Sequence, residues 1–314
     1  MSWAAAMTTA SFASLGRVRW WILSLAGFLT RGGLLIAIVP IVILPTPAQL
    51  EDQFADPSLV GAGLATPTPA LVALVLTAIV VLAITIIATT AVGAWLEASL
   101  VETTAADEEL AGIAPSTGED RTITDRAGEG RADVRINLGS AITVRLVAHL
   151  PTAVAFIAAA GALATAVTAE LASPGDGTSI FARIVARAEW PIAILGLAWL
   201  VGETWGGVAI RRLRADRSAW RALGHALLDV VRPSGLATLV LGSVVALVPL
   251  LITWYAAGRA FDRLWGLLID GSDPLLVLVA LALLVAIWAA SLWLLAIGLT
   301  WRSTAWTAEV LRRG

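Results

Sequence analysis

The sequence predicts an all-α integral membrane protein with six transmembrane helices and with amphipathic helices lying in the membrane interface. Three observations carry that prediction. Of 314 residues, 58% are apolar and only 14% are charged, against roughly 25% charged in an average soluble domain. Mean hydropathy is +0.85, and the apolar residues fall in blocks too long for a globular core helix. The arginines are also partitioned. With six spans, 17 lie in the N-terminal segment, the 97–149 and 211–232 loops and the tail, and four lie in the remaining connections. That positive-inside bias predicts a multi-pass protein of the plasma (inner) membrane with both termini cytoplasmic.

Residues 1–16 are small and polar, with no charge before Arg17. Arg17 and Arg19 precede an apolar run, as in a secretory signal, but Arg31 interrupts the run and no small-residue cleavage site follows Leu44. The segment 17–30 therefore reads as an interfacial helix with Trp20 and Trp21 at headgroup level. A first span follows over about 32–44, with Arg31 snorkelling to the cytoplasmic surface. It is short against the roughly 20 residues of a crossing, so it begins within the preceding helix. Residues 45–69 carry two Pro-Thr-Pro runs and three acids without a base, the mark of an outer loop.

The second span, about 70–96, is almost purely aliphatic, with Thr85, Thr89 and Thr90 able to bond their own backbone. Residues 98–143 then mix nine acids and four arginines with Gly, Ser, Thr and Pro. Such a stretch buries too little apolar surface to offset its ordering entropy, which predicts a disordered cytoplasmic loop. The third span, about 150–169, is rich in alanine. Ala158, Ala162 and Ala166 repeat at steps of four, as do Gly161, Thr165 and Ala169, a spacing that lets backbones approach closely and predicts a place at the bundle centre. After a turn through Pro174-Gly175-Asp176 comes the fourth span, about 191–210, with Gly202-x-x-x-Gly206.

The stretch from Trp199 to Ser234 organises the chain. An apolar helix carrying Glu203 runs into Arg211, Arg212 and Arg214, and an amphipathic segment follows. In that segment Trp220, Leu223, Leu227 and Val230 share one face, and Arg217, Arg221, His225 and Asp229 share another. The pattern predicts a helix lying in the interface with Arg217, Trp220, Arg221 and His225 against membrane lipid. The fifth span covers about 235–257. A second amphipathic piece, Phe261 to Leu268, follows on the outer face. The last span covers about 274–301 and leads to a tail ending in Arg312-Arg313.

Odd-numbered spans are entered through Arg31-Gly32, His149-Leu150-Pro151 and Arg232-Pro233. Even-numbered spans leave near Trp95, Trp205 and Trp301 or Trp306. Aromatic belts and positive-inside bias alone generate such a pattern; three pseudo-repeated helical hairpins are the other reading. In layout the chain resembles a group of six-helix bacterial membrane proteins that includes the membrane domain attached to some glycerophosphodiester phosphodiesterases. In that group the hydrolase activity sits in a separate soluble barrel, so the resemblance implies no hydrolase activity and transfers no catalytic residue.

Ionisable residues inside spans are the candidates for function. Glu97, Arg145, His149 and Glu203 form an expected intramembrane polar cluster at the cytoplasmic side, with Arg145 and His149 on one helix face. Glu203 with His149 or Arg145 would make a proton or substrate site, or else a structural ion pair. Two histidines and no cysteine predict no metal site, and no cofactor-binding motif occurs. Gly242-Ser243 in the fifth span lacks a histidine base in the sixth, so an intramembrane serine protease is not expected. A net charge of −2 offers nothing to nucleic acid. The expectation is a non-catalytic membrane protein, an accessory or assembly subunit or the membrane part of a larger system, with lipids and a further protein as partners. The alternative is a transport permease such as the membrane subunit of an ABC-type exporter, whose partner would be an ATPase.

Overall fold

The computed structural model describes residues 1–38, 69–107, 110, 112–113, 135–172 and 180–313. All regular structure among them is helical. Two short helices open the chain, α1 (Trp3–Leu15) and α2 (Val18–Phe28), and an irregular turn over Leu29–Gly33 leads to α3 (Leu34–Ile38). Then come α4 (Pro69–Ala105), α5 (Leu138–Ala148), α6 (Leu150–Ala172), α7 (Ile180–Asp216), α8 (Ala219–Val231), α9 (Pro233–Ile269) and α10 (Pro274–Arg313). Five segments are long and apolar enough to cross a bilayer: Ile84–Ala105 of α4, Leu150–Glu170 of α6, Ala186–Asp216 of α7, and the whole of α9 and α10. This is the pattern of a multi-pass membrane protein. Of the expected first span, residues 32–38 are described and hold the short helix α3, while 39–44 lie outside the described residues, as do the outer loop at 45–68 and the turn at 174–176.

The helices extend well past the expected spans. At 1.5 Å per residue, the 37 residues of α9 make a rod of about 55 Å, against a hydrocarbon core of about 30 Å. The second amphipathic piece, Phe261 to Leu268, is therefore the end of α9 rather than a separate helix; Phe261 and Trp265 stack at 6.2 Å along it. The expected tail likewise belongs to α10. At the expected 98–143 loop, α4 continues through Ala105 and α5 starts at Leu138, so both ends are helical, while 114–134 lie outside the described residues. The helical ends persist because they are buried: Ala98, Leu100, Val101 and Thr104 of α4 and Ala141 and Val144 of α5 are all in the interior.

The chain forms two compact units. One comprises Met1–Val42, Thr90–Ala148 and Thr204–Gly314; the other comprises Ile43–Thr89 and His149–Glu203. In the first unit, α9 and α10 form an antiparallel hairpin closed by Gly271, whose φ of +62° suits the residue without a side chain. They approach closely at Gly298, where an added Cβ would lie 2.6 Å from the Val245 carbonyl oxygen. The N-terminal helix α1, to which the sequence assigned no element, is capped by Ser2 accepting from the Ala5 amide at 3.3 Å. Ala6, Met7, Ala10 and Ala13 are buried in one cluster with Ala305 and Ala308 of α10. Trp301 donates to the Ser11 hydroxyl at 2.7 Å, and Trp3 to Thr238 at 2.9 Å. A face of alanine and serine is neutral in hydropathy, so no periodic signal announced it.

Trp20 is buried in that same cluster with the Arg17 guanidinium 5.5 Å from its ring, so its ring packs against protein. In the second unit, the two small-residue stripes of α6 fare differently: Ala166 is buried and Ala162 half-buried, with Ala155 and Ala159 on the same packed face, whereas Ala158 and the whole Gly161, Thr165 and Ala169 stripe are exposed. The packed stripe is the one that carries Thr152, whose hydroxyl donates to the Ala198 carbonyl of α7 at 3.1 Å.

Candidate polar clusters

Four ion-paired clusters are buried among the described residues, three of them in the first unit and one in the second, which also holds the His149–Glu203 pair at the other end of α6. The first centres on Glu97, on the last turns of α4. Arg145 of α5 pairs with it directly, Arg211 of α7 reaches it at 3.2 Å and Arg31 at 3.7 Å. Arg211 also donates to the Gly207 carbonyl, to Thr307 at 3.1 Å, and to the hydroxyl and carbonyl of Ser303 on α10. One guanidinium thus binds α4, its own helix and α10 together. Gly206 and Gly207 make room for this. A Cβ on Gly206 would lie 3.1 Å from the Arg145 side chain, and one on Gly207 would lie 3.1 Å from Glu97 Oε1. The Gly202-x-x-x-Gly206 signal therefore marks close packing against arginine and Ala148 rather than bare helix contact.

Arg31 departs from its expected snorkelling. The backbone breaks at Arg31 and Gly32, with φ of +93° at the glycine. The side chain turns inward to Glu97 and to the Gly93 carbonyl at 3.5 Å. Inside the protein the attraction between this guanidinium and the buried carboxylate is screened less than it would be in water.

In the second unit, His149 Nε2 lies 3.2 Å from Glu203 Oε1, and Thr152 lies 3.5 Å from His149 Nδ1. The expected set of four is thus distributed: Glu97 pairs with Arg145, His149 pairs with Glu203, and the two pairs belong to different units. Glu170, absent from the expected set, is buried near the end of α6 and takes Arg183 at 2.7 Å and Arg187 at 3.0 Å, tying α6 to the start of α7.

The remaining clusters join α8 to the end of α10. Asp229 accepts from Arg212 at 2.6 Å and from Arg313 at 2.8 Å, with Arg232 at 3.6 Å. Burial works against its charge, but hydrogen bonds and charge from Arg212, then Arg313, outweigh burial and hold its carboxyl below the ordinary aspartate range. Glu309 pairs with Arg312 at 2.9 Å and with Arg313, and both arginines donate to Ser234 at 3.1 and 2.8 Å. Asp229 therefore leaves the basic outer face to which its spacing assigned it.

The inward face of α8 is Ala222, Leu223, Ala226 and Asp229. Trp220, Arg221 and His225 are exposed on the opposite side. His225 stands 2.9 Å from Asp216, and Arg217 occupies the turn before the helix. Leu223 is core rather than membrane-facing, so the apolar stripe read from the sequence is divided between interior and exterior.

Sequence reasoning missed Arg211, Glu170, Asp229 and Glu309 as buried partners. Arg211 carried one usable signal, its position four residues after a glycine whose missing side chain leaves a carbonyl open to it. Among the described residues, no three histidine, aspartate or glutamate side chains are placed to hold a metal ion. No protein-family model, curated protein or solved structure matches the chain.

Proposed function

We propose that this chain is a non-catalytic component of a larger inner-membrane system, an accessory or assembly subunit, with six spans and both termini in the cytoplasm. The observation that carries this reading is how the buried carboxylates are used. Glu97, Glu170, Glu203, Asp229 and Glu309 each face one or more basic side chains. Glu97, Glu170 and Asp229 take arginines from other helices, and Glu309 holds Arg312 and Arg313 of its own helix against Ser234 of α9, the geometry of staples rather than of a site that must exchange a proton or a substrate. The three-hairpin reading is supported by three short helices of 11, 11 and 13 residues, α2, α5 and α8, each ending at a break before the next helical segment.

A permease is the second reading, and α8 favours it. A short helix between two long ones, held from beneath by Asp229 and open on its other side, is what a transport ATPase would engage.

The test combines two measurements. Purification in gentle detergent from the native membrane, followed by mass spectrometry, reads the partner: a stoichiometric ATPase selects the permease, and another membrane complex selects the accessory role. Glu203→Gln reads the pair with His149. Loss of thermal stability with no change in proton or solute flux is the expected outcome. Lost flux at unchanged stability would overturn the accessory reading.

A further inference from the structure

The outer face of α8 has an arrangement that its ion-paired inner face does not require. At about 100° per residue, Leu227, Trp220, Val231 and Leu228 occupy one continuous outward arc. All four side chains are more than half exposed. Arg221 borders the arc, and Arg232 stands at its C-terminal end with 57% of its side chain exposed. Arg217 lies at the other end, in the turn from α7, with its backbone at a φ of +53°. A side chain in the left-handed region is strained in a way that glycine would not be. An exposed arginine held there under that strain is explained if its charge is used.

The apolar arc also runs into the membrane-crossing surface. Leu236 and Val240, on the first turns of α9, are exposed, beginning five residues after Val231. A helix with exposed tryptophan and leucines, bordered by arginines and continuous with a span, matches the interface of a bilayer with anionic headgroups. We propose that α8 is an anionic-phospholipid docking helix. Its apolar arc enters the headgroup boundary, and Arg217, Arg221 and Arg232 bind lipid phosphates. The proposal rests on the multi-span reading and adds the lipid class and the residues that select it.

The chain has no cysteine, so one introduced thiol reports one place. Gly224 lies on the outward face, and an added Cβ there meets nothing within 4 Å. A spin label on Gly224→Cys is read in nanodiscs of phosphatidylcholine alone and of phosphatidylcholine with phosphatidylglycerol. A second label on Leu278→Cys, at an exposed position of α10, serves as the depth reference. The expected result is a label at 224 that is relaxed more by oxygen than by a water-soluble nickel chelate, and that moves deeper when phosphatidylglycerol is present. Arg217→Gly with Arg221→Gln should abolish that lipid dependence; Arg217→Gly alone should weaken it while the melting temperature holds or rises, because the turn is relieved. A label at 224 in water with the 278 label in hydrocarbon would overturn the proposal alone and turn α8 toward a soluble protein partner. Both labels in water would overturn the multi-span reading itself. Lipid dependence unchanged in the double variant would overturn the assignment of the arginines.

Discussion

The two ends of the α9–α10 hairpin are built on different principles. From Pro274 to about Trp293, α10 presents Leu275, Leu276, Leu278, Val279, Leu281, Leu283 and Val285 outward, as a lipid-facing helix does. From Gly298 onward the same helix buries Thr300, Thr304, Trp306, Thr307, Glu309 and Val310 and carries the residues that hold Arg211 and Arg313. Lipid tails offer a leucine the same surroundings that a neighbouring leucine would, so the first half has little to gain from helix contact. In the second half, polar and charged groups are taken from water and must find partners within the protein. The contrast teaches that the two halves should respond differently to change: the loss of one partner at the ion-paired end leaves a buried charge alone, whereas a trimmed side chain on the lipid-facing half leaves nothing unpaired.

The sharpest way to break that contrast is at Glu97. Its carboxylate faces Arg31, Arg145 and Arg211, and removing one member of a buried ion network costs about 3–5 kcal/mol because the partners remain charged and buried. Glu97→Gln should lower the melting temperature in mild detergent more than any single change on the lipid-facing half. If it melts with the wild type, the ion-paired end is not where stability lies.

Asp229 should come next, with about 3 kcal/mol lost in Asp229→Asn. It also has a pH signature. Its folded-state pKa is depressed, so the folded protein holds the proton less tightly than the unfolded chain does. The stabilisation is therefore fully present above the unfolded aspartate value of about 3.9 and is lost as pH falls through the lower folded value. Melting curves of wild type and variant recorded down the acid range should converge below about pH 4; a gap that stays constant would separate Asp229 from the effect.

The contrast also explains what was legible beforehand. Hydropathy and arginine placement respond to the lipid-facing half, and the five long apolar helices stand where those signals put them. The ion-paired end is written in a different code. Arg31, Arg211 and Arg212 looked like positive-inside flanks, because an arginine that snorkels and one that turns inward toward Glu97 are identical in sequence. Asp229 fell at the spacing of a basic face, and only the placement of Arg212 and Arg313 around it reveals that it points inward. The helical ends of α4 and α10 were read as loop and tail for the same reason: threonine, alanine and glutamate are weak signals until tertiary contacts bury them. Of the expected polar set, the Glu97–Arg145 and His149–Glu203 contacts could be sought from helix position, but not their division between two units.

The smallest expected effect tests the lipid-facing half on its own terms. If that half contributes little through helix contact, substitutions there should matter only where two backbones touch. Gly298, where the ion-paired half begins, is the close backbone contact that serves as the comparison: an added methyl would lie 2.6 Å from the Val245 carbonyl oxygen and 3.2 Å from Pro249, and since one neighbour is backbone, the helices must separate. Gly298→Ala should cost about 1–3 kcal/mol through overpacking. Leu278→Ala, one helix but several turns away and 61% exposed, should stay within about 0.5 kcal/mol of wild type. Melting both in the same detergent gives the comparison directly. A large loss in Leu278→Ala would mean that the exposed apolar face is covered by a protein partner that survives purification, and the contrast between the two ends would then hold only for the isolated chain.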